Sequence, residues 1–269
     1  MLSCFCKLFT CLIHNRLNAY AETYEVIHET QAGLCKSFST SDNIFILKGL
    51  IDLMQAEKKK LFYCFIDFKQ AFDTVWRVGL WQKLLKENIN GKCFRVIYNM
   101  YRNIKSKVVT SEGSSDFFNS MIGVRQGENL SPFLFSIFLN DLHSYLDNKG
   151  VNGLPTFDGA DVYLKLFILL YADDTVIFSN SANELQYALD HFKDYCDTWK
   201  LHINVTKTKV MIIGKGRRLG NLSFNIGLEQ VELVDVYKYL GVNFTRTGNF
   251  NKSRIYIMQA MPNTPYKIH

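Results

Sequence analysis

Apolar positions along this chain fall into two kinds of segment, short continuous runs and longer stretches with helical spacing. Two continuous runs flank the tetrapeptide YADD at positions 171–174, within the sequence LKLFILLYADDTVIFS. Runs rich in Leu, Ile, Val and Phe and bounded by turn residues are typical of buried strands. Because Asp favours turns, the pattern predicts a hairpin of two core strands, 164–171 and 175–178, with the acidic pair at its tip.

A third apolar run, Leu61–Ile66, predicts another buried strand, and Asp67 follows directly after it. If Asp67 faces the hairpin tip, it completes a cluster of three carboxylates with Asp173 and Asp174. Neighbouring carboxylates repel one another and are costly to desolvate, so their placement beside a core favours a bound divalent cation. Oxygen ligands indicate Mg²⁺ or Mn²⁺, and two such ions about 4 Å apart suit phosphoryl or nucleotidyl transfer.

A second polar segment, 123–132, has the sequence GVRQGENLSP and precedes an apolar stretch. Ser131 as N-cap, followed by Pro132, predicts the start of a helix there. Gly127 allows close approach of the backbone to another molecule, and Gln126 can offer a donor and an acceptor to a base or sugar. These features also have ordinary structural interpretations: a glycine loop before a core helix, a solvated Asp-Asp turn, and a helix cap at Asp67.

Helical spacing of apolar residues predicts several helices, and for three of them it defines an inner face. The predicted inner faces are Phe5, Phe9, Leu12, Leu17, Tyr20 and Tyr24 in the first helix, Ile44, Leu47, Leu50, Ile51 and Met54 in the second, and Leu185, Leu189, Phe192 and Cys196 in Ala182–Trp199. The last helix is expected to cover the strands. Alternating residues in 105–112, a turn at 113–115 and a return through 116–122 predict a basic two-stranded hairpin.

Composition limits the classes of protein that this chain can belong to. An apolar content of 48% in 269 residues is enough for a substantial core, in one large domain or two subdomains. The formal net charge of +6 mildly favours a polyanionic partner. Seven cysteines without zinc-site spacing predict reduced thiols and an intracellular location, in the nucleus or cytoplasm. No run reaches the ~18 apolar residues of a membrane span, and we expect no signal peptide.

Three segments, in this order, resemble the palm motifs of reverse transcriptases: FIDFKQAFDTV at 65–75, GVRQGENLSPFLFSIFLNDL at 123–142, and YADD. Their sequences are similar to those of the non-LTR (LINE-type) retrotransposon branch. Three further segments agree, since 31–47 resembles the fingers segment of that branch, 197–215 its motif D and 236–245 its primer-grip region. The resemblance extends from about residue 4 to residue 245.

The resemblance implies an α+β fold in which an antiparallel polymerase palm sheet carries helices on one face, with fingers segments attached. It divides the chain into a fingers segment at 1–60, palm at 61–84, a fingers insertion at 85–119, and palm with the YADD hairpin and primer-grip region at 120–250. Residues 251–269 are expected to be a truncated tail that ends before a thumb could form.

The resemblance also implies roles for single residues. The metal ligands are Asp67, Asp173 and Asp174, assisted by the backbone carbonyl of Phe68. Contacts to the incoming nucleotide or template are assigned to Lys36, Phe72, Gln126 and Gly127, with the Phe72 ring as the floor of the sugar pocket. Lys207 is a candidate acid for the pyrophosphate leaving group, and Tyr171, Tyr239, Leu240 and Gly241 are expected near the primer end.

The implied activity is RNA-directed DNA polymerisation, in which two Mg²⁺ ions, replaceable by Mn²⁺, assist transfer of a nucleotide from a dNTP to a primer 3′ hydroxyl. The RNA template and DNA primer would be held mainly through phosphates. Glu128-Asn129 replaces a common Asp-Pro, and Lys36 alone remains of the basic fingers loop. We expect weak or no activity from a truncated chain. The alternatives are a catalytically silent nucleic-acid-binding remnant and an unrelated metal-dependent phosphotransferase.

Overall fold

The computed structural model describes residues 4–28, 30–31, 40–151, 168–171, 174–214 and 222–248. The helices in these ranges are α1 (Cys4–Thr23), α2 (Thr40–Ala56), α3 (Arg77–Lys86), α4 (Gly91–Arg102), α5 (Leu130–Leu139), α6 (Leu142–Asn148) and α7 (Ala182–Trp199). The strands are β1 (Leu61–Ile66), β2 (Lys105–Ser106), β3 (Val109–Thr110), β4 (Gly113–Ser114), β5 (Phe118–Asn119), β6 (Ile168–Tyr171), β7 (Asp174–Ser179), β8 (Lys209–Ile213), β9 (Phe224–Ile226), β10 (Glu229–Leu233), β11 (Val236–Tyr239) and β12 (Val242–Thr245). Across these ranges, no helix combines the length and apolar character required to cross a bilayer.

Six strands form the central sheet, in the order β6-β7-β1-β8-β10-β9. β1 lies between β7 and β8 and is antiparallel to both, while β10 runs parallel to β8. All six residues of β1 are buried, which explains why its sequence LFYCFI is continuously apolar rather than alternating. The structure confirms the predicted strand at β1 and the predicted hairpin, which β6 and β7 form. β8, β9 and β10 are additions to the predicted sheet.

Alternate residues of β1 face two separate cores. Cys64 and Ile66 belong to the core that includes residues of α1, α3, α5 and α7. Tyr63 and Phe65 belong to the core formed with α2 and the β11–β12 hairpin. The predicted α+β palm is therefore confirmed, but one detail differs, because α2 lies on the face opposite the other helices. A central strand that is apolar on both faces requires other elements to pack on both faces. The buried inner face of α2 packs on one of them.

Helix α7 packs on the first of these faces, as predicted from its apolar spacing. Its predicted inner residues Leu185, Leu189, Phe192 and Cys196 are all buried. The Ser181 hydroxyl accepts a hydrogen bond from the Glu184 N–H (3.2 Å), which caps the first turn. Only two residues separate the end of β7 from the start of α7, so the helix returns directly across the sheet.

Helix α1 forms where it is expected, but it presents a different face to the core. The predicted inner residues Phe5, Phe9, Leu12 and Tyr24 are exposed, and the buried residues are Thr10, Ile13, Leu17 and Ala21. Both sets have helical spacing, so the pattern alone does not select between them. Packing against α5 determines which face of α1 is buried. In this contact the His14 ring lies edge-on to the Phe133 ring, with centroids 6.2 Å apart. The predicted inner face is therefore wrong except at Leu17 and the half-buried Tyr20.

The segment from β2 to the start of α5 contains two features predicted from the sequence. The predicted basic hairpin is present as two short pairs, β2 with β5 and β3 with β4. Its predicted turn at 113–115 is wrong, because Thr110 pairs with Gly113 and the turn is therefore at 111–112. The predicted cap is wrong, because Asn129 is the N-cap of α5 and Ser131 lies inside the helix. The Ser131 hydroxyl instead donates to the Arg125 carbonyl, which closes the preceding loop. Pro132 is tolerated at the third helical position, since amides of the first turn have no intrahelical acceptor.

Candidate active site

Asp67 directly follows β1, at the end of the sheet where the chain leaves the core. Its N–H donates to Thr208 Oγ1 (3.2 Å), and its carbonyl accepts from the Asn204 N–H (2.8 Å). The pairing continues at the next residue, where Phe68 forms an antiparallel bridge with Ile203. The 203–208 segment therefore holds the backbone of Asp67, while 32% of its side chain remains exposed.

Asp174 is the first residue of β7, the strand that pairs with β1. The register places Ile66 opposite Thr175, so extending it by one residue places Asp67 opposite Asp174. Directly opposed residues in antiparallel strands have Cα atoms about 5 Å apart. The structure therefore brings two of the three predicted carboxylates together at one end of the sheet. Asp173, the third, lies outside the described residues.

Lys207 lies beside the Asp67 carboxylate. Its Nζ is 4.0 Å from Asp67 Oδ2. A turn brings it there, because the N–H groups of Lys207 and Thr208 both donate to the Asn204 carbonyl (3.1 and 2.8 Å). The Lys207 side chain is 70% exposed, so the contact contributes little to stability. The ammonium stays accessible to another anion at the same site.

The β11–β12 hairpin packs on the face of β1 that carries Phe65. Tyr239 pairs with Val242, and Leu240 and Gly241 form the turn between them, with φ of 46° and 83°. Two successive positive φ angles are typical of a type I′ hairpin turn. A non-glycine residue such as Leu240 adopts that conformation at an energetic cost. Three of the four residues predicted near the primer end, Tyr239, Leu240 and Gly241, thus form the tip of one hairpin.

Tyr237, on β11, is a site residue that sequence reasoning did not identify. Its ring stacks on Phe65 with centroids 4.3 Å apart. Burial raises the pKa of Tyr237 to about 12, and the carboxylates of Asp174 and Asp67 add to the increase. The hydroxyl is therefore protonated at neutral pH and lies near both carboxylates. Strand alternation puts Tyr237 on the same face as Tyr239, which is the sequence feature that could have indicated it.

The turn after β1 contacts the loop before α5. The Gln126 side chain donates to the Asp73 carboxylate (2.8 Å), and the Val124 N–H donates to the Phe72 carbonyl (2.7 Å). Gly123 has a φ of 81°, and a Cβ there would lie 2.4 Å from the Asp73 carbonyl oxygen. This contact therefore requires glycine. The predicted residues Phe72 and Gln126 thus stand on two segments that are bonded directly to each other.

Phe72 and Gly127 both have accessible surface at this edge of the site. The Phe72 ring is half-buried and lies 5.1 Å from the Phe135 ring. Gly127 has a φ of 80°, and among the described residues no atom lies within 4 Å of the position that a Cβ would take. Another molecule can therefore approach the Gly127 backbone closely. Lys36 and the side chain of Tyr171 lie outside the described part of the chain.

Glu128, which replaces the residue common in the motif, is buried. Its carboxylate pairs with Arg125 (3.0 Å) and accepts from the Tyr101 hydroxyl (3.5 Å). Arg125 in turn donates to the Met100 carbonyl (2.9 Å). The buried charge is therefore paired, and the pair anchors the loop to α4.

Two proteins of known sequence are similar to nearly the whole chain. The RNA-directed DNA polymerase from mobile element jockey of Drosophila funebris is 28% identical over 255 residues, which are 91% of this chain and 26% of that protein. The probable RNA-directed DNA polymerase from transposon BS of Drosophila melanogaster is 30% identical over 258 residues, 93% of this chain and 27% of that protein. The chain therefore spans about a quarter of the length of these relatives.

A solved structure and a family model agree with these similarities. Telomerase from Candida tropicalis, in complex with the TWJ fragment of telomeric RNA, has a TM-score of 0.57 and 14% identity, over 96% of this chain and 38% of that chain. That likeness shows a common fold. The model of the family described as reverse transcriptase (RNA-dependent DNA polymerase) matches residues 1–244. This match covers most of the chain and includes both Asp67 and Asp174. The predicted resemblance is therefore confirmed, and the chain belongs to the reverse transcriptase family.

Proposed function

We propose that this chain catalyses RNA-directed DNA synthesis, transferring a nucleotide from a dNTP to a primer 3′ hydroxyl on an RNA template. The observation that carries the proposal is the register that places Asp67 opposite Asp174 at an accessible end of the sheet. Lys207 lies 4.0 Å from Asp67, and Tyr237 lies near both carboxylates. One relative named above is an RNA-directed DNA polymerase and the other is named as a probable one, which supports the same reaction for this segment.

Reverse transcriptases generally use divalent metal ions, and the donors at this site fit them. Asp67 and Asp174 offer hard oxygen donors, which suit Mg²⁺ or Mn²⁺. Within the described ranges, no three His, Cys, Asp or Glu side chains are grouped as metal ligands, and Asp173, outside those ranges, is the proposed third carboxylate. The Phe68 ring is buried near Phe192, so its backbone carbonyl is the available ligand. Two bound Mg²⁺ ions would activate the primer hydroxyl and neutralise charge on the triphosphate.

Lys207 is the proposed acid for the pyrophosphate leaving group. Its ammonium is mostly exposed and lies 4.0 Å from Asp67, so it can reach phosphate oxygens held at the carboxylates. Proton donation to the departing oxygen would lower the barrier to cleavage of the phosphate bond. The Tyr237 hydroxyl, which stays protonated at neutral pH, is an uncharged neighbour of Asp67 and Asp174.

The remaining predicted residues are assigned to the nucleotide and the primer. Phe72 would form the apolar floor under the sugar, and Gln126 and Gly127 would lie against the incoming nucleotide and template. The half-buried position of Phe72 and the open space around Gly127 support these roles. Lys36 would meet the triphosphate, and Tyr171, Tyr239, Leu240 and Gly241 would position the primer end.

The division of the chain into fingers and palm segments is part of this proposal, as are its partners and location. An RNA template and a DNA primer would be held through phosphates by dispersed Lys and Arg, and the net charge of +6 supports such partners. We place the protein inside the cell, in the nucleus or cytoplasm. The buried free thiols of Cys64 and Cys196 support a reducing compartment.

Primer extension tests the proposed function. The purified chain is incubated with an RNA template annealed to a DNA primer, Mg²⁺ and all four dNTPs at low ionic strength, where phosphate contacts are strongest. We expect weak extension that stops at the first position requiring an omitted dNTP and that EDTA abolishes. Nucleotide addition without any template would contradict the proposal and favour the phosphotransferase. Binding of template and primer without extension would favour the catalytically silent remnant.

A further inference from the structure

Arg77, the first residue of α3, is buried although none of its described hydrogen-bond partners is charged. Its Nε donates to the Gly123 carbonyl (2.7 Å). Its two terminal nitrogens donate to the carbonyls of Tyr101 (3.1 Å), Ser120 (2.6 Å) and Ile122 (2.8 Å) and contact the Ser120 hydroxyl (3.5 Å). Only 7% of Arg77 is exposed. A buried charge is costly, so this arrangement requires that all of these bonds form together.

The acceptors of Arg77 converge on one short stretch of chain. Ser120, Ile122 and Gly123 all lie in the segment that leads from β5 into the 123–127 loop, GVRQG. Lysine could not replace the guanidinium here, because its three donors spread from one nitrogen, whereas the five N–H groups of arginine form a planar fork. The guanidinium carbon also lies 5.4 Å from the centre of the Tyr101 ring, which ties the same point to α4.

The far side of this segment contacts the turn after β1. The Gly123 N–H donates to the Val75 carbonyl (2.8 Å), and the Val124 N–H donates to the Phe72 carbonyl (2.7 Å). Residues 120–124 are therefore held between Arg77 and the turn 72–75. Loss of the Arg77 bonds would release one side of this segment and shift Gln126 and Gly127, which follow within three residues.

We infer that Arg77 is a positioning residue that fixes the 123–127 loop at the edge of the active site and thereby sets the apparent affinity for the incoming nucleotide. The inference rests on the proposed function, because it takes Gln126 and Gly127 to lie against that nucleotide. Arg77 itself touches neither substrate nor metal ligands in this arrangement. Its effect is transmitted through the carbonyls of Ser120, Ile122 and Gly123.

Steady-state kinetics of Arg77→Lys and Arg77→Met in the full chain test the inference. We expect KM for the dNTP to rise on the order of tenfold while kcat changes less, because the loop is displaced and the carboxylates are not. Gly123→Ala should have the same effect, since its Cβ would push the loop away from Asp73. Lys83→Met is the matched control, a buried cation of α3 that bonds to α5 and α7 instead of this loop. It should lower the folded fraction without changing KM. An unchanged KM in a folded Arg77 variant would overturn the inference.

Hydrogen exchange provides a readout that does not require activity. In Arg77→Lys, the amides of Gly123 and Val124 should exchange faster, while those of β1 keep their protection. Unchanged exchange at both amides, or equal acceleration throughout β1, would overturn the positioning role. If the parental chain fails to extend primers, the proposed function fails, and this exchange experiment still decides whether Arg77 fixes the loop.

Discussion

Two lysine–aspartate pairs in this chain have the same chemistry and opposite surroundings. Lys83 Nζ and Asp141 Oδ1 lie 2.5 Å apart, and only 3% of the Lys83 side chain is exposed. Lys207 Nζ and Asp67 Oδ2 lie 4.0 Å apart, and 70% of the Lys207 side chain is exposed. We call Lys83 with Asp141 the buried pair and Lys207 with Asp67 the open pair.

In the buried pair, all three N–H groups of the Lys83 ammonium have hydrogen-bond acceptors. The Lys83 ammonium donates to the Phe138 carbonyl (2.6 Å), the Asp141 carboxylate and the Tyr195 hydroxyl (2.6 Å), and it lies 3.8 Å from the centre of the Trp199 ring. An ammonium has three donors, so none remains for a ligand. In the open pair, the distance between Lys207 Nζ and Asp67 Oδ2 is at the upper limit for an ion pair, and both groups remain accessible. Surroundings, rather than residue type, therefore separate a pair that holds helices together from one that can meet a substrate.

The largest expected effect comes from replacing the aspartate of each pair by asparagine. Asp67→Asn removes the charge of a proposed metal ligand and should reduce primer extension roughly a thousandfold or more. Its stability should stay equal or rise, because repulsion from Asp174 is relieved. Asp141→Asn should instead lower the free energy of unfolding by about 3 kcal/mol, since it leaves Lys83 buried without a counter-charge, while activity per folded molecule is kept.

Primer extension and urea unfolding, measured on both Asn variants, check this contrast. Parental extension rates from Asp67→Asn would show that the metal site is assigned to the wrong residues. Loss of activity in folded Asp141→Asn would show that the buried pair also takes part in the reaction.

The same contrast explains how much the sequence could predict. β1 and the β6–β7 hairpin were predictable because continuous apolar runs report burial on both faces of a strand. The buried pair could not be predicted, because Lys83 and Lys86 lie one turn apart on α3 and have the same chemistry. Nevertheless, the Lys83 side chain is 3% exposed and that of Lys86 is 67% exposed. Burial of Lys83 depends on Asp141, Tyr195 and Trp199, which arrive from distant parts of the chain. Local periodicity carries no information about such partners, and the wrong inner face of α1 has the same cause.

The next largest contrast comes from replacing the lysine of each pair by methionine, an uncharged residue that keeps most of the length of the lysine side chain. Lys83→Met should cost about 3 kcal/mol of stability, because Asp141 loses its main buried partner. Lys207→Met should cost less than about 1 kcal/mol, since its ion pair is exposed. It should instead slow nucleotide incorporation by roughly a hundredfold or more if Lys207 is the acid for the leaving group. Urea midpoints and single-turnover rates separate the two, and a fast Lys207→Met variant would contradict the role of acid.

The buried pair also predicts that stability depends on pH. Burial lowers the pKa of Lys83 to about 8, and the Asp141 carboxylate only partly offsets it. Between about pH 8 and the unfolded lysine pKa near 10.4, the unfolded chain binds a proton that the folded chain does not, so this group's contribution to stability rises with pH. The stability difference between the parental chain and Lys83→Met should therefore grow from pH 7.5 to about pH 10. A stability difference that falls over this pH range would contradict the prediction.

The smallest expected effect is a change of sugar preference at Phe72, compared with Phe138 beside the buried pair. Phe138 is fully buried, and its ring centre lies 5.2 Å from Lys83 Nζ, whereas Phe72 is half-buried at the edge of the open site. As a floor under the deoxyribose, the Phe72 ring would leave no room for a ribose 2′ hydroxyl. Phe72→Val should then raise ribonucleotide use relative to deoxyribonucleotide use, by roughly tenfold or more. Phe138→Val should cost stability and impair both nucleotides equally. An unchanged ratio in folded, active Phe72→Val would leave Phe72 as a packing residue, like Phe138.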